Sequence, residues 1–165
     1  MERLLPLAET LAQSLIARSE TLAVSESSAG GLISASLLAV PGASAYYRGG
    51  GIIYAPNAFR GLLQLSRDDL GDMRSATEPY ALFLARTMRT KLRTSWGLCE
   101  TGASGPWGNS YGDAAGHSCI AVVGPQGQAI ARTLETGLSE RVENMYRFAK
   151  AGLDLLWETL QSTPD

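Results

Sequence analysis

AVSESSAGGLISASLL, residues 23–38, passes from an apolar run through serines, a glutamate and a glycine pair into a helical pattern. That succession reads as a strand, a polar turn and a helix, the unit from which layered α/β domains are built. A serine at such a junction stands where the N–H groups of a helix start converge, a place that can stabilise an oxyanion or hold a phosphate. No G-x-S-x-G pattern surrounds Ser27 and no base adjoins it, and Ser27 and Ser28 equally suit a capping role. Local sequence leaves catalytic elbow, phosphate cradle and polar turn open.

Working outward, Leu4, Leu7, Leu11 and Leu15 recur at helical spacing, with Pro6 early enough for a first turn, so residues 2–18 form a helix and TLAVSE (21–26) a strand. The second helix opens at Gly30 and stops at Pro41 and Gly42. GGGIIYA (49–55) is the next strand, followed by short helical pieces at 59–65 and 67–73. From Thr77 a longer helix places Ala81, Leu84, Ala85, Met88 and Leu92 on one side, with Pro79 in its first turn. Strand WGLCET (96–101) leads into the loop GASGPWGNSYGDAAG (102–116), and two strands at 117–124 and 128–137 flank PQG as antiparallel neighbours. The last helix is capped by Ser139, carries Glu140 and Glu143 near its start, and lines one face with Val142, Tyr146, Ala149, Leu153, Leu156, Trp157 and Leu160. Helices alternating with strands, plus one hairpin, predict a three-layer α/β/α domain with a mixed, mostly parallel sheet over residues 1–165.

Composition narrows the function classes. With 45% apolar and 18% charged residues the chain suits a globular protein, and no apolar run reaches the roughly 20 residues that span a bilayer. Glutamates among the N-terminal leucines argue against a secretory signal, which places the chain in the cytoplasm. A net charge of −2 without basic runs offers no footprint for nucleic acid or anionic lipid, leaving a small molecule or a protein partner. Cys99 and Cys119 lack CxxC spacing and have His117 as their nearest imidazole, so they read as reduced core thiols rather than zinc ligands.

Five segments occur in a telling order: SESSAGG (25–31), GGGIIYAPNAF (49–59), SATEP (75–79), ETGASGP (100–106), and a final helix beginning near Arg141. Together they resemble the CinA C-terminal domain family, which includes stand-alone nicotinamide-nucleotide amidases, over residues 4 to 160. The resemblance implies the same fold and hydrolysis, without metal or cofactor, of the carboxamide of nicotinamide mononucleotide. It matches the family's Glu-Ser-Cys-Thr-Gly-Gly to Glu26, Ser27, Ser28, Ala29, Gly30 and Gly31, making Ser27 the nucleophile and placing Ser28, Gly30 and Gly31 at the substrate. It matches the catalytic tyrosine to Tyr54, and Thr101, Gly102, Gly105 and Arg141 to ligand-binding positions. The family's lysine base falls on Phe59, with Arg60 one place later.

That departure matters because a serine hydroxyl is a poor nucleophile without a positioned base. Lys91 and Lys150 lie in helices far from Ser27 in sequence, and a guanidinium such as Arg60 stays protonated, fitted to hold a phosphate instead. His117, the single histidine, is the remaining candidate base, against its reading as a strand-edge residue bonded to backbone. Trp107 and Tyr111 are candidates to stack on a heterocycle or to anchor their loop. Three functions follow: an amidase, a catalytically lapsed nucleotide-binding module, or an assembly protein whose apolar helices build a homo-oligomer.

Overall fold

A computed structural model describes residues 2–164. The helices are α1 (Leu5–Ala17), α2 (Leu32–Leu38), α3 (Pro56–Leu63), α4 (Glu78–Leu92) and α5 (Arg141–Ser162), and the strands are β1 (Leu22–Glu26), β2 (Tyr47–Ile52), β3 (Trp96–Ala103), β4 (His117–Val123) and β5 (Ala129–Glu135). Short 3-10 turns sit at Ala43–Ala45 and Asp68–Leu70. The five-stranded sheet runs β2-β1-β3-β4-β5. Because β1 pairs parallel with both β2 and β3 while β4 is antiparallel to β3 and β5, β4 alone runs against the other four. The sheet is therefore mixed and mostly parallel, as expected.

The central strands are buried along their whole length, which is why they read as continuous apolar runs rather than alternating ones. Their side chains divide by parity. Leu22, Val24, Trp96, Leu98, Ile120 and Val122 enter the core shared with α1, α2 and α5. Ala23, Cys99, Cys119, Ala121 and Val123 enter the one shared with α3 and α4. Each such leucine, wholly withdrawn from water, contributes on the order of 1.5–3 kcal/mol. Cys99 and Cys119 are free and buried, and burial pushes the Cys99 thiol well up. Gly97 sets the closeness of the α4 layer, since a Cβ there would lie 2.2 Å from the Ala85 carbonyl oxygen.

Local chemistry fixes the helix starts. Thr77 caps α4, its Oγ1 accepting from the Tyr80 N–H at 3.4 Å, with Glu78 and Pro79 in the first turn. Ser139 does not cap α5: the helix begins one residue later than that role requires, with Glu140 at the cap position and no side-chain cap bond. The buried face of α5 keeps Ala149, Leu153, Leu156 and Leu160 as expected but not the first expected residue. Val142 is 65% exposed, and Asn144 is buried in its stead, its Nδ2 donating to the carbonyls of Ser104 and Leu138 at 2.9 Å each. Leu92 likewise ends α4 on the exposed side. Among the described residues no helix is long and apolar enough to cross a membrane.

Candidate functional site

The crossover from β1 to β2 passes through α2 on one face of the sheet, and the one from β2 to β3 passes through α3 and α4 on the other. The two diverge at the C-terminal end of β1. In open α/β sheets such a divergence leaves a crevice beyond the strand ends, the usual ligand site. Here the crevice is a cavity of about 420 Å³. Ser27 follows β1, Ile53 and Tyr54 follow β2, and Thr101 and Gly102 lie near the end of β3, all at its wall. Phe59 and Arg60 on α3, Arg67, Ser75–Ala76, Tyr80, Asn109 and Tyr111 complete the enclosure.

Of the residues expected at the site, the cavity thus gathers Ser27, Tyr54, Thr101, Gly102 and Arg60, and it adds Arg67, Tyr80 and Asn109, which the sequence did not single out. Ser27 is half-buried, and its Oγ makes no hydrogen bond within the described residues. Tyr54 is 63% exposed, and its phenol oxygen accepts from Arg141 Nη2 at 3.3 Å. Arg141 Nη1 donates to the Gly105 carbonyl at 2.6 Å, so Arg141 and Gly105 brace Tyr54 from beside the cavity rather than lining it. The Tyr111 ring lies under the Arg74 guanidinium, 5.4 Å from its centroid, whereas Trp107 is 83% exposed and away from the cavity.

Ser28, Gly30 and Gly31 are not at the cavity, for a specific reason. Glu26 and Glu100, both fully buried, share strand parity with Val24 and Leu98 and so face the α2/α5 side. Glu100 accepts from the N–H groups of Ser27 (3.1 Å) and Ala29 (2.8 Å) and from the hydroxyls of Ser28 (2.5 Å) and Ser118 (2.9 Å). Glu26 accepts from the N–H groups of Gly31 (2.9 Å), Ile33 (3.1 Å) and Ser34 (2.9 Å) and from the Ser34 hydroxyl (2.5 Å). The left-handed pair Gly30 (φ 67°) and Gly31 (φ 97°) turns the chain sharply enough to aim these amides at Glu26. The anion that a helix start attracts is therefore supplied by the chain itself, and the phosphate-cradle reading of residues 23–38 is closed. Burial pushes the Glu100 carboxyl up, and its four donors pull it part of the way back.

The position of the expected lysine is an apolar wall. Phe59 is 6% exposed and stacks on Tyr80, ring centroids 6.5 Å apart. Lys91 is exposed near the end of α4 and Lys150 pairs with Asp154, so among the described residues no amine reaches the cavity. His117 does not take its place. Its ring is buried outside the cavity, with Nδ1 2.5 Å from Glu135 Oε1 and Nε2 2.9 Å from the Ala76 carbonyl oxygen. A ring whose two nitrogens both face acceptors has no lone pair left to take a proton from Ser27.

The comparisons with known proteins agree with this architecture. Residues 4–160 match the CinA C-terminal domain. A CinA-like protein of Gloeobacter violaceus is 36% identical over 151 residues, 91% of this chain and 35% of its own length, and one from Chlorobium limicola is 34% identical over 158 residues, 94% of this chain and 37% of its own. The chain thus spans about a third of the length of the relatives it matches. Among solved structures, a CinA superfamily protein from Klebsiella pneumoniae superposes with a TM-score of 0.87 at 23% identity, covering 96% of this chain and 98% of that one. A competence/damage-inducible protein from Agrobacterium tumefaciens gives 0.86 at 24% identity, covering 95% and 94%. With the five ordered sequence segments, the switch-point crevice and this match over most of its length, the chain belongs to the CinA C-terminal domain family.

Proposed function

We propose that the cavity binds nicotinamide mononucleotide or a close relative and that the chain hydrolyses its carboxamide, with Ser27 as nucleophile. The observation that carries this reading is the unpartnered Ser27 hydroxyl at the switch-point cavity, between strand ends that also bring Tyr54, Thr101 and Gly102 to the wall. In the reaction Ser27 Oγ adds to the amide carbon, the C–N bond breaks, and ammonia leaves with the serine proton. Water then cleaves the acyl-serine to give nicotinic acid mononucleotide and restore the hydroxyl. Tyr54 is suited to pass that proton: its oxygen accepts from Arg141, which turns its own O–H away from the guanidinium. Arg67 makes no ion pair among the described residues, and Arg60 bonds only to Asn57, so both guanidiniums are free to meet a phosphate.

Phe59 favours a second reading, in which the cavity binds the nucleotide without turning it over, because loss of a general base commonly costs ~10²–10⁴ in rate. One assay separates the two. Ammonia release from nicotinamide mononucleotide, abolished in Ser27→Ala, supports hydrolysis. Saturable protection against thermal unfolding by the nucleotide with no ammonia selects binding alone, and neither effect overturns both.

A further inference from the structure

Ala76, at the cavity wall, is buried and holds a left-handed backbone (φ 57°), a conformation that a residue with a Cβ keeps only when its surroundings impose it. Two strands hold this peptide. Its N–H donates to Thr101 Oγ1 at 3.3 Å, and its carbonyl accepts from His117 Nε2 at 2.9 Å, with Cys119 Sγ at 3.5 Å. A carbonyl oxygen carries no proton, so Nε2 must. At Nδ1 the partner is an oxygen of Glu135, so a ring protonated at both nitrogens donates to both partners. Acceptors at both ring nitrogens are the environment that an imidazolium fits.

The groups around the ring sustain that charge. Glu135 faces it from β5, Asp113 Oδ2 lies 3.9 Å from Nε2 on the preceding loop, and the neutral Cys119 thiol is 3.6 Å away on β4. Behind them Arg74 grips Asp113 at 2.6 and 3.0 Å, holding its carboxyl down at about 2, and Glu78 of α4 accepts from Thr133 beside Cys119. Burial alone would favour the neutral ring, but the bonds to Glu135 and Ala76 and the charges of Glu135 and Asp113 outweigh it and raise the pKa above its ordinary value.

We propose that His117 is a positioning residue, a doubly donating clamp that fixes the Ala76 peptide as cavity wall, so that the cavity loses ligand affinity when the ring gives up its proton. Because the folded pKa is raised and the neutral ring keeps its one proton on Nδ1, toward Glu135, the Nε2 bond to Ala76 is complete below the ordinary histidine value of about 6.5 and is lost as pH rises through the folded value. The binding arm of the test rests on the ligand reading above; the clamp itself does not.

His117 is the only histidine, so nitrogen-15 spectra of histidine-labelled protein report this ring alone. Both ring nitrogens should be protonated at about pH 6, their titration midpoint should lie above about 6.5 and fall in Glu135→Gln, and the Ala76 amide resonance should move with it. Affinity for nicotinamide mononucleotide, followed by calorimetry from about pH 6 to about pH 9, should drop about tenfold through that midpoint and stay flat in His117→Gln, which keeps a donor for Ala76 and does not titrate. A neutral ring at about pH 6, a midpoint at or below about 6.5, or an Ala76 amide indifferent to the titration overturns the clamp. Nucleotide affinity that does not follow the midpoint overturns its coupling to the cavity. If the nucleotide binds at no pH, the function proposed above fails, and the clamp stands or falls on the nitrogen spectra and the Ala76 amide.

Discussion

On the α2/α5 side of the β1 end, the side chains of Glu26, Ser28 and Glu100 all find partners inside the protein. On the α4 side, one residue away, Ser27 keeps its hydroxyl unpaired and Arg67 has no carboxylate among the described residues. The two sides carry similar chemistry and use it oppositely. Burying a carboxylate costs several kcal/mol unless donors surround it, and Glu26 and Glu100 are each met by four. Their satisfaction makes one side rigid scaffold and diverts an anionic ligand away from the start of α2. The groups left unpaired on the other side mark where a ligand completes the set.

Exchanging neighbours across this divide tests it most strongly. Ser27→Ala should remove nucleotide amide hydrolysis by about 10³-fold or more while leaving the unfolding midpoint unchanged. Ser28→Ala should do the reverse, sparing turnover and costing about 1–3 kcal/mol in urea unfolding, because Glu100 loses its 2.5 Å donor. Equal loss of turnover in both variants would mean that the two sides act as one unit. The next largest effect belongs to Glu100→Ala, which strands two amides and two hydroxyls in the interior. A stability loss of about 3–5 kcal/mol is expected from the same unfolding measurement, and a loss under about 1 kcal/mol would show that these donors are satisfied some other way.

The cavity side was more legible in the sequence than the scaffold side. Ser27, Tyr54, Thr101 and Gly102 stand in ordered segments at strand ends, with Arg60 just past one of those segments on α3, and strand ends at a switch point are where a parallel sheet puts its ligands. Glu26 and Glu100 also end apolar runs, but a glutamate there reads equally as the first solvated residue of a loop. Only the pairing of β1 with β3, across more than seventy residues, reveals that Glu100 is enclosed, and only the turn through Gly30 and Gly31 reveals it for Glu26. His117 misled for the same reason. Its decisive partner, the Ala76 carbonyl, lies 41 residues away, so nothing beside it in the chain distinguishes a clamp from a base. The cap of α5 was missed because Ser139 and Glu140 both suit a helix start, and the outward turn of Val142 because apolar spacing does not reveal that the polar Asn144 turns inward.

Phe59→Lys moves a cationic amine into the wall of the open side. If the missing base is what limits turnover, ammonia release should rise by about 10²-fold, with an alkaline shift in its pH profile as the amine must be neutral to accept the serine proton. Phe59 also packs against Tyr80, so the variant loses some stability, and its folded fraction has to be verified by circular dichroism before rates are compared. A folded variant with no gain would place the barrier elsewhere, in the geometry of Tyr54 or in the bound substrate.

The smallest effect sharpens the boundary of the open side. Arg67 is exposed, and an exposed guanidinium meeting a phosphate is screened by water and salt, so Arg67→Ala should weaken nicotinamide mononucleotide binding by only about tenfold. Nicotinamide riboside, which lacks the phosphate, should bind wild type and variant alike, and the difference for the mononucleotide should shrink as salt is raised. Should the riboside lose as much as the mononucleotide, Arg67 shapes the wall rather than reading the phosphate. The anion would then have to be met by Arg60, whose bond to Asn57 at 2.5 Å must break before it can turn toward the ligand.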